Sequence, residues 1–211
     1  MIQSFENIVP IEYTDIFKKS WIEQQDKKFV IWYDDQDQTV NDPDLIIDER
    51  IEYFPGSEEY ALVEELVKKI RPDADYILAY YQRQSKPHQI HLDDLEGCDH
   101  TMVIPLNHNP EAKVLVWKPY FDNVEEFRDY LTAWGQSDSL PLYNISESYD
   151  IEHTIDQNNG KYLSDYMELE GVYSYNLGSM GMFTSKQLHC SSDWTKIPGQ
   201  KFKELVIVHT N

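Results

Sequence analysis

The chain has little cysteine, little positive charge and no long apolar run, and each shortage excludes something. Two cysteines, Cys98 and Cys190, stand among 211 residues. That is too few for the disulfide framework of a small secreted scaffold, so a reducing, cytoplasmic setting is expected. No stretch approaches the roughly 18 consecutive apolar residues of a membrane helix. The opening Met1-Ile2-Gln3-Ser4-Phe5-Glu6 lacks the basic and then apolar pattern of a secretory leader, so Asn144-Ile145-Ser146 reads as a chance match to a glycosylation acceptor. Basic residues number 18 against 38 acidic ones, a formal net charge of −20. Nucleic-acid binding works by cationic side chains displacing phosphate counterions, and a chain this acidic repels a polyanion. Neutral, zwitterionic or basic partners are easier to accommodate. There is no Walker loop, no dinucleotide-binding glycine pattern and no hydrolase elbow.

What is present is enough apolar and aromatic material, 41% and 13% of residues, for one domain with a core of its own. Ile16, Phe17, Trp21 and Ile22 recur at helical spacing between Glu12 and Asp26, and Leu62, Val63, Leu66, Val67 and Ile70 do so between about 57 and 70, after a capping Ser57. Phe29-Val30-Ile31-Trp32-Tyr33 reads as a strand. Beyond Arg71-Pro72-Asp73 the pattern becomes β: Tyr76 to Tyr81, Thr101 to Leu106, Val114 to Trp117, Gly171 to Tyr173, Gly181 to Phe183, and Phe202 to His209. Asn107-His108-Asn109-Pro110 is a turn. Residues 123–131 read as helical and 135–170 as irregular. The expectation is a single domain over 1–211, with a helical part to about residue 72 and an insertion at about 120–170. Its architecture would be mainly β with flanking helices, a sandwich or jelly roll.

His91-Leu92-Asp93 is the triplet with chemical content. On a strand, positions i and i+2 share a face, so His91 and Asp93 can converge on one ion. Two imidazoles and one carboxylate on one side of Fe(II) leave positions open for co-substrate and oxygen. His189, late in the chain after Gly181-Met182-Phe183-Thr184-Ser185, is the candidate third ligand. The triplet alone is a weak signal, because seven histidines among 38 acidic residues yield about one such pairing by chance. The remaining histidines, His88, His100, His108, His153 and His209, are expected to be ordinary surface or neighbouring residues. Tyr80 and Tyr81 alternate across their strand, so one should face a pocket and the other the core.

Order and context add a resemblance. Tyr76 to Tyr81 followed by Pro87-His88-Gln89-Ile90-His91-Leu92-Asp93 resembles the strand and iron motif of 2-oxoglutarate/Fe(II) oxygenases, prolyl-hydroxylase-like members included. Thr101 to Asn107 and Val114 to Trp117 resemble the hairpin after that motif, and Gly178 to His189 resembles the strand ending in the distal histidine. The similarity covers about 76–119 and 171–208. It implies a double-stranded β-helix of the cupin-like kind, Fe(II) held by His91, Asp93 and His189, 2-oxoglutarate as co-substrate, and oxidation of a substrate C–H bond with release of succinate and carbon dioxide. That family usually places an arginine about ten positions after the distal histidine to hold the far carboxylate. Lys201 is the match here, and Lys203 replaces a small polar residue. Asn107 and Tyr80 are the candidate hydrogen-bond partners of the co-substrate. The substrate would be a small molecule or a peptidyl side chain, with molecular oxygen. Two rivals stay open: a cupin-like metal enzyme that does not use 2-oxoglutarate, and a non-catalytic jelly-roll binding protein.

Overall fold

A computed structural model describes residues 2–33, 46–85, 93, 95, 97–120, 126, 168–192, 194 and 197–211. In chain order the elements are β1 (Gln3–Phe5), α1 (Ile11–Glu23), β2 (Phe29–Tyr33), β3 (Ile46–Tyr53), α2 (Glu58–Ile70), β4 (Ile77–Gln84), β5 (His100–Pro105), β6 (Asn109–Tyr120), β7 (Glu168–Tyr175), β8 (Met180–Thr184), β9 (Gln187–Ser191) and β10 (Lys203–Thr210). All pairings are antiparallel. One sheet runs β1-β8-β5-β10-β4-β3-β2, and a smaller one runs β7-β6-β9. This is the expected mainly β architecture, a double-stranded β-helix with two helices. The helical reading at 123–131 and most of the 120–170 insertion lie outside the described residues.

The helices form for local reasons and dock for tertiary ones. Ser57 caps α2 by accepting the Tyr60 amide at 3.1 Å, while Glu58 and Glu59 open the helix and Lys68 and Lys69 close it, matching the helix dipole. Val63, Leu66 and Val67 form its buried stripe, and Phe17 and Trp21 that of α1. Both stripes pack on Ile51, Tyr53, Ala79, Tyr81, Met102, Ile104, Val206 and Val208, which make up the outer face of the large sheet. Burying each such side chain contributes about 1.5–3 kcal/mol.

The inner face of that sheet meets the small one. Tyr80, Val103, Leu205 and Ile207 pack against Val114, Val116, Tyr173 and Tyr175. Central strand β10 is therefore buried on both faces, which explains its unbroken apolar run Leu205-Val206-Ile207-Val208. Three features differ from the sequence reading. The region to residue 72 contains β1 and β3 beside its helices and the expected strand β2, β6 begins inside the expected turn, and Asp93 lies in the loop before β5 rather than on a strand. Among the described residues no helix is long and apolar enough to cross a membrane.

The gap between the sheets is fixed partly by a missing side chain. A Cβ on Gly181 of β8 would stand 2.8 Å from two ring carbons of Tyr173, whose hydroxyl is tied to Ser179 Oγ at 2.7 Å. The ring cannot swing away without breaking that bond. Gly181→Ala is expected to cost about 1–3 kcal/mol through overpacking, read as a lower urea midpoint; an unchanged midpoint would refute this contact as a spacer.

Candidate active site

Strand β9 turns His189 inward, where its ring lies against Phe183 with centroids 4.6 Å apart. Nδ1 sits 3.0 Å from the Gln187 carbonyl oxygen, which can only accept, so Nδ1 carries the proton. In the neutral ring Nε2 is then an acceptor. It faces the Oδ2 of Asp93 at 3.3 Å. Two acceptors at that distance repel unless a cation sits with them, either a proton on the imidazole or a metal ion. Asp93 is held in place by its amide donating to Ser185 O at 3.2 Å and by Thr101 Oγ1 donating to Oδ2 at 2.6 Å. Two of the three expected ligands are thus brought together. His91 lies outside the described residues, and among those described no group of three or more His, Cys, Asp or Glu is assembled.

A second polar cluster occupies the same interior. Lys203 opens β10 on its inner face and is buried, with Nζ donating to Ser191 Oγ at 2.5 Å and to Tyr175 Oη at 3.3 Å. Burial pushes its pKa down to about 7, against the opposing pull of Asp48 and Cys190. Cross-strand register aligns Lys203 with Gln84 and Gln84 with Asp48. Asp48 is fully buried and accepts from Arg50 at 2.6 and 3.0 Å and from Gln82 at 2.8 Å. Gln84, also fully buried, has no hydrogen-bond partner for either amide atom among the described residues. Leaving such a group unsatisfied costs about 1–3 kcal/mol. His189 and Ser191 are two residues apart on β9, hence on one face and roughly 7 Å from each other along the strand. The site thus has a place for a cation at one end, an ammonium at the other, and a polar wall with spare hydrogen-bonding capacity.

The other expected residues fall as follows. Tyr80 faces this interior, its hydroxyl 3.0 Å from His209 Nε2 and its ring under the Arg50 guanidinium at 4.5 Å, while Tyr81 stacks on Trp21 on the helix side. β5 and β6 belong to different sheets and so do not form the expected hairpin; Asn107 is half-buried in the link between them and braces the start of β10 through Phe202 O at 3.2 Å and the Glu204 amide at 3.5 Å. Lys201 is exposed in the loop before β10, so the buried lysine of this region is Lys203. His209, expected at the surface, is buried: Nδ1 lies 3.1 Å from Thr101 Oγ1. Thr101, His209, Lys203 and Gln84 were legible only through the period-two alternation of β4, β5 and β10, which fixes which residues look inward. Cys190 faces the other way, where Trp117 Nε1 approaches Sγ at 3.5 Å, and burial pushes its thiol up to about 12.

No family model matches the chain, and no curated protein matches its sequence. Solved structures do match. A prolyl-4-hydroxylase from Pseudomonas putida is similar over 100% of this chain and 91% of its own, with TM-score 0.53 and 9% identity. The non-haem α-ketoglutarate-dependent carbocyclase SnoK, from nogalamycin biosynthesis, is similar over 99% and 78%, with TM-score 0.56 and 8% identity. The epimerase SnoN in complex with Fe3+ and α-ketoglutarate is similar over 99% and 77%, with TM-score 0.54 and 9% identity. At such identities the likeness is one of fold: this chain has the jelly roll of the 2-oxoglutarate oxygenases.

Burial of Lys203 carries a pH signature. Its pKa is about 7 in the fold, against 10.5 ordinarily. Below about pH 7 folded and unfolded chains both hold the proton, and the fold bears the whole cost of burying the ammonium. Between there and about 10.5 only the unfolded chain holds it, so stability rises with pH. The melting temperature of the native protein minus that of Lys203→Met is expected to climb from pH 7 to pH 10. A flat difference would show Lys203 to be solvated.

Proposed function

We propose that this protein is an Fe(II)- and 2-oxoglutarate-dependent oxygenase that hydroxylates a small molecule or a protein side chain. The observation that carries the reading is the approach of His189 Nε2 to the Asp93 carboxylate at 3.3 Å inside a buried, polar interior. An imidazole and a carboxylate suit Fe(II), with His91 as the third ligand. When bound, iron and 2-oxoglutarate supply the oxidising chemistry that inserts one oxygen atom into a C–H bond and the other into succinate, with loss of carbon dioxide.

The chain's own residues have four tasks. His189, fixed by its Nδ1 bond, and Asp93, fixed by Thr101 and the Ser185 carbonyl, present two ligands without rearrangement. Lys203 takes the part that the sequence suggested for Lys201: its ammonium pairs with the far carboxylate of the five-carbon diacid. That carboxylate returns the counter-charge which burial denies the lysine, so binding favours the protonated form. Gln84 offers a donor and an acceptor beside it. Phe183 and the packed aromatic wall of Tyr173 and Tyr175 keep water from the reacting end. The net charge of −20 supports a neutral or cationic substrate over a polyanion.

Anaerobic Fe(II) titration with and without 2-oxoglutarate tests this. A weak charge-transfer band in the middle of the visible range should need both components and vanish in His189→Ala and Asp93→Ala. Lys203→Met should still take up iron while requiring about 10–100-fold more 2-oxoglutarate, since a buried charged partner contributes about 1.5–3 kcal/mol. Full iron retention in Asp93→Ala would sink the assignment. Iron uptake with no band would favour the cupin-like enzyme, and no iron uptake the binding protein.

A further inference from the structure

Beyond Asp93 the hydrogen bonds continue in one direction. Thr101 and His209 are direct cross-strand partners on β5 and β10, and Tyr80 on β4 lies diagonal to His209 across the next pairing. Thr101 Oγ1 has one proton, and the Asp93 carboxylate, an obligate acceptor at 2.6 Å, takes it. At 3.1 Å from His209 Nδ1, the same oxygen must therefore accept, so Nδ1 bears hydrogen. In the neutral ring Nε2 is then an acceptor, and the Tyr80 hydroxyl at 3.0 Å donates to it. The far end is anchored as well. Arg50 lies 4.5 Å above the Tyr80 ring, withdrawing electron density from the phenol, and Asp48 grips Arg50 with bonds of 3.0 and 2.6 Å. Both Thr101 and His209 are about 2% exposed, so water does not compete for these bonds.

We infer that Tyr80, His209 and Thr101 form a one-way hydrogen-bond relay that fixes the Asp93 carboxylate for a cation, with His209 as its positioning residue. The inference rests on reading Asp93 as a metal ligand. The relay fixes the proton of every member and leaves Asp93 an oriented acceptor before any ion arrives, so binding needs no local rearrangement. Removing a partner of this kind lowers metal affinity by about 10–100-fold.

Two measurements test it, and neither uses turnover. In 15N-labelled protein without added metal, the His209 resonances should report hydrogen on Nδ1 and none on Nε2. A ring protonated on Nε2 alone, or on both nitrogens, overturns the relay. The second is Mn(II) titration followed by loss of the free-ion EPR signal. Thr101→Val and His209→Phe should each weaken binding about 10-fold or more, whereas His209→Asn, whose amide N–H can replace Nδ1–H, should stay within about 3-fold of the native protein. Because both deletions cut one chain, Thr101→Val combined with His209→Phe should bind no more weakly than Thr101→Val alone. Equal losses in His209→Phe and His209→Asn, or losses that multiply in the double variant, overturn the proposal. Failure of the metal reading is distinct: the native protein would then take up no Mn(II), and the relay would fall with it.

Discussion

A strand buried on both faces must find a partner for every polar side chain it carries, and β10 is such a strand. Its outward residues Val206 and Val208 meet the helices, and its inward residues begin with Lys203 and end with His209. Neither end can reach water, so each binds something else. Lys203 crosses to Ser191 and Tyr175 on the small sheet, and His209 reaches sideways to Thr101 and Tyr80 on its neighbours. The polar interior follows from that accounting, as does the contrast with Gln84, which lies in the same layer without a partner among the described residues.

Much of the architecture was legible in the sequence because burial on one face leaves a periodic trace. The stripe of α2 and its Ser57 cap could be read directly, as could β2 and the apolar cores of β4, β5 and β10. Strand β3 could not. Its Asp48, Glu49, Arg50 and Glu52 look like a solvated stretch, yet Ile51 and Tyr53 point to the helices while Asp48 and Arg50 point inward. The same inversion hid His209, whose near-terminal position suggested solvent until antiparallel pairing put it in the middle of the sheet. Asp93 was singled out for a reason that does not hold at its position, since it is oriented by a loop amide and Thr101 and not by strand alternation. Parity could not choose between Lys201 and Lys203, which are both odd-numbered like Leu205 and Ile207; the choice rests on where β10 begins, since the strand opens at Lys203 and leaves Lys201 exposed in the preceding loop.

The excess of acid acquires a different meaning once the interior is known. Two of the 18 basic residues, Arg50 and Lys203, turn toward the interior, where Arg50 pairs with Asp48. Anionic ligands therefore approach against the field of the surface and are favoured only within reach of these interior cations, a combination that discriminates by fit rather than by attraction at a distance.

Cys190 follows His189 directly in the chain, yet strand alternation puts its sulfur on the opposite side of the small sheet, against Trp117. With its pKa pushed up to about 12, almost none of it is thiolate at neutral pH, and the thiolate is the form that oxidants attack. On the proposed function, the thickness of one sheet would insulate this sulfur from oxygen handled at His189. The Cys190 thiol shares the backbone of His189 and not its surroundings.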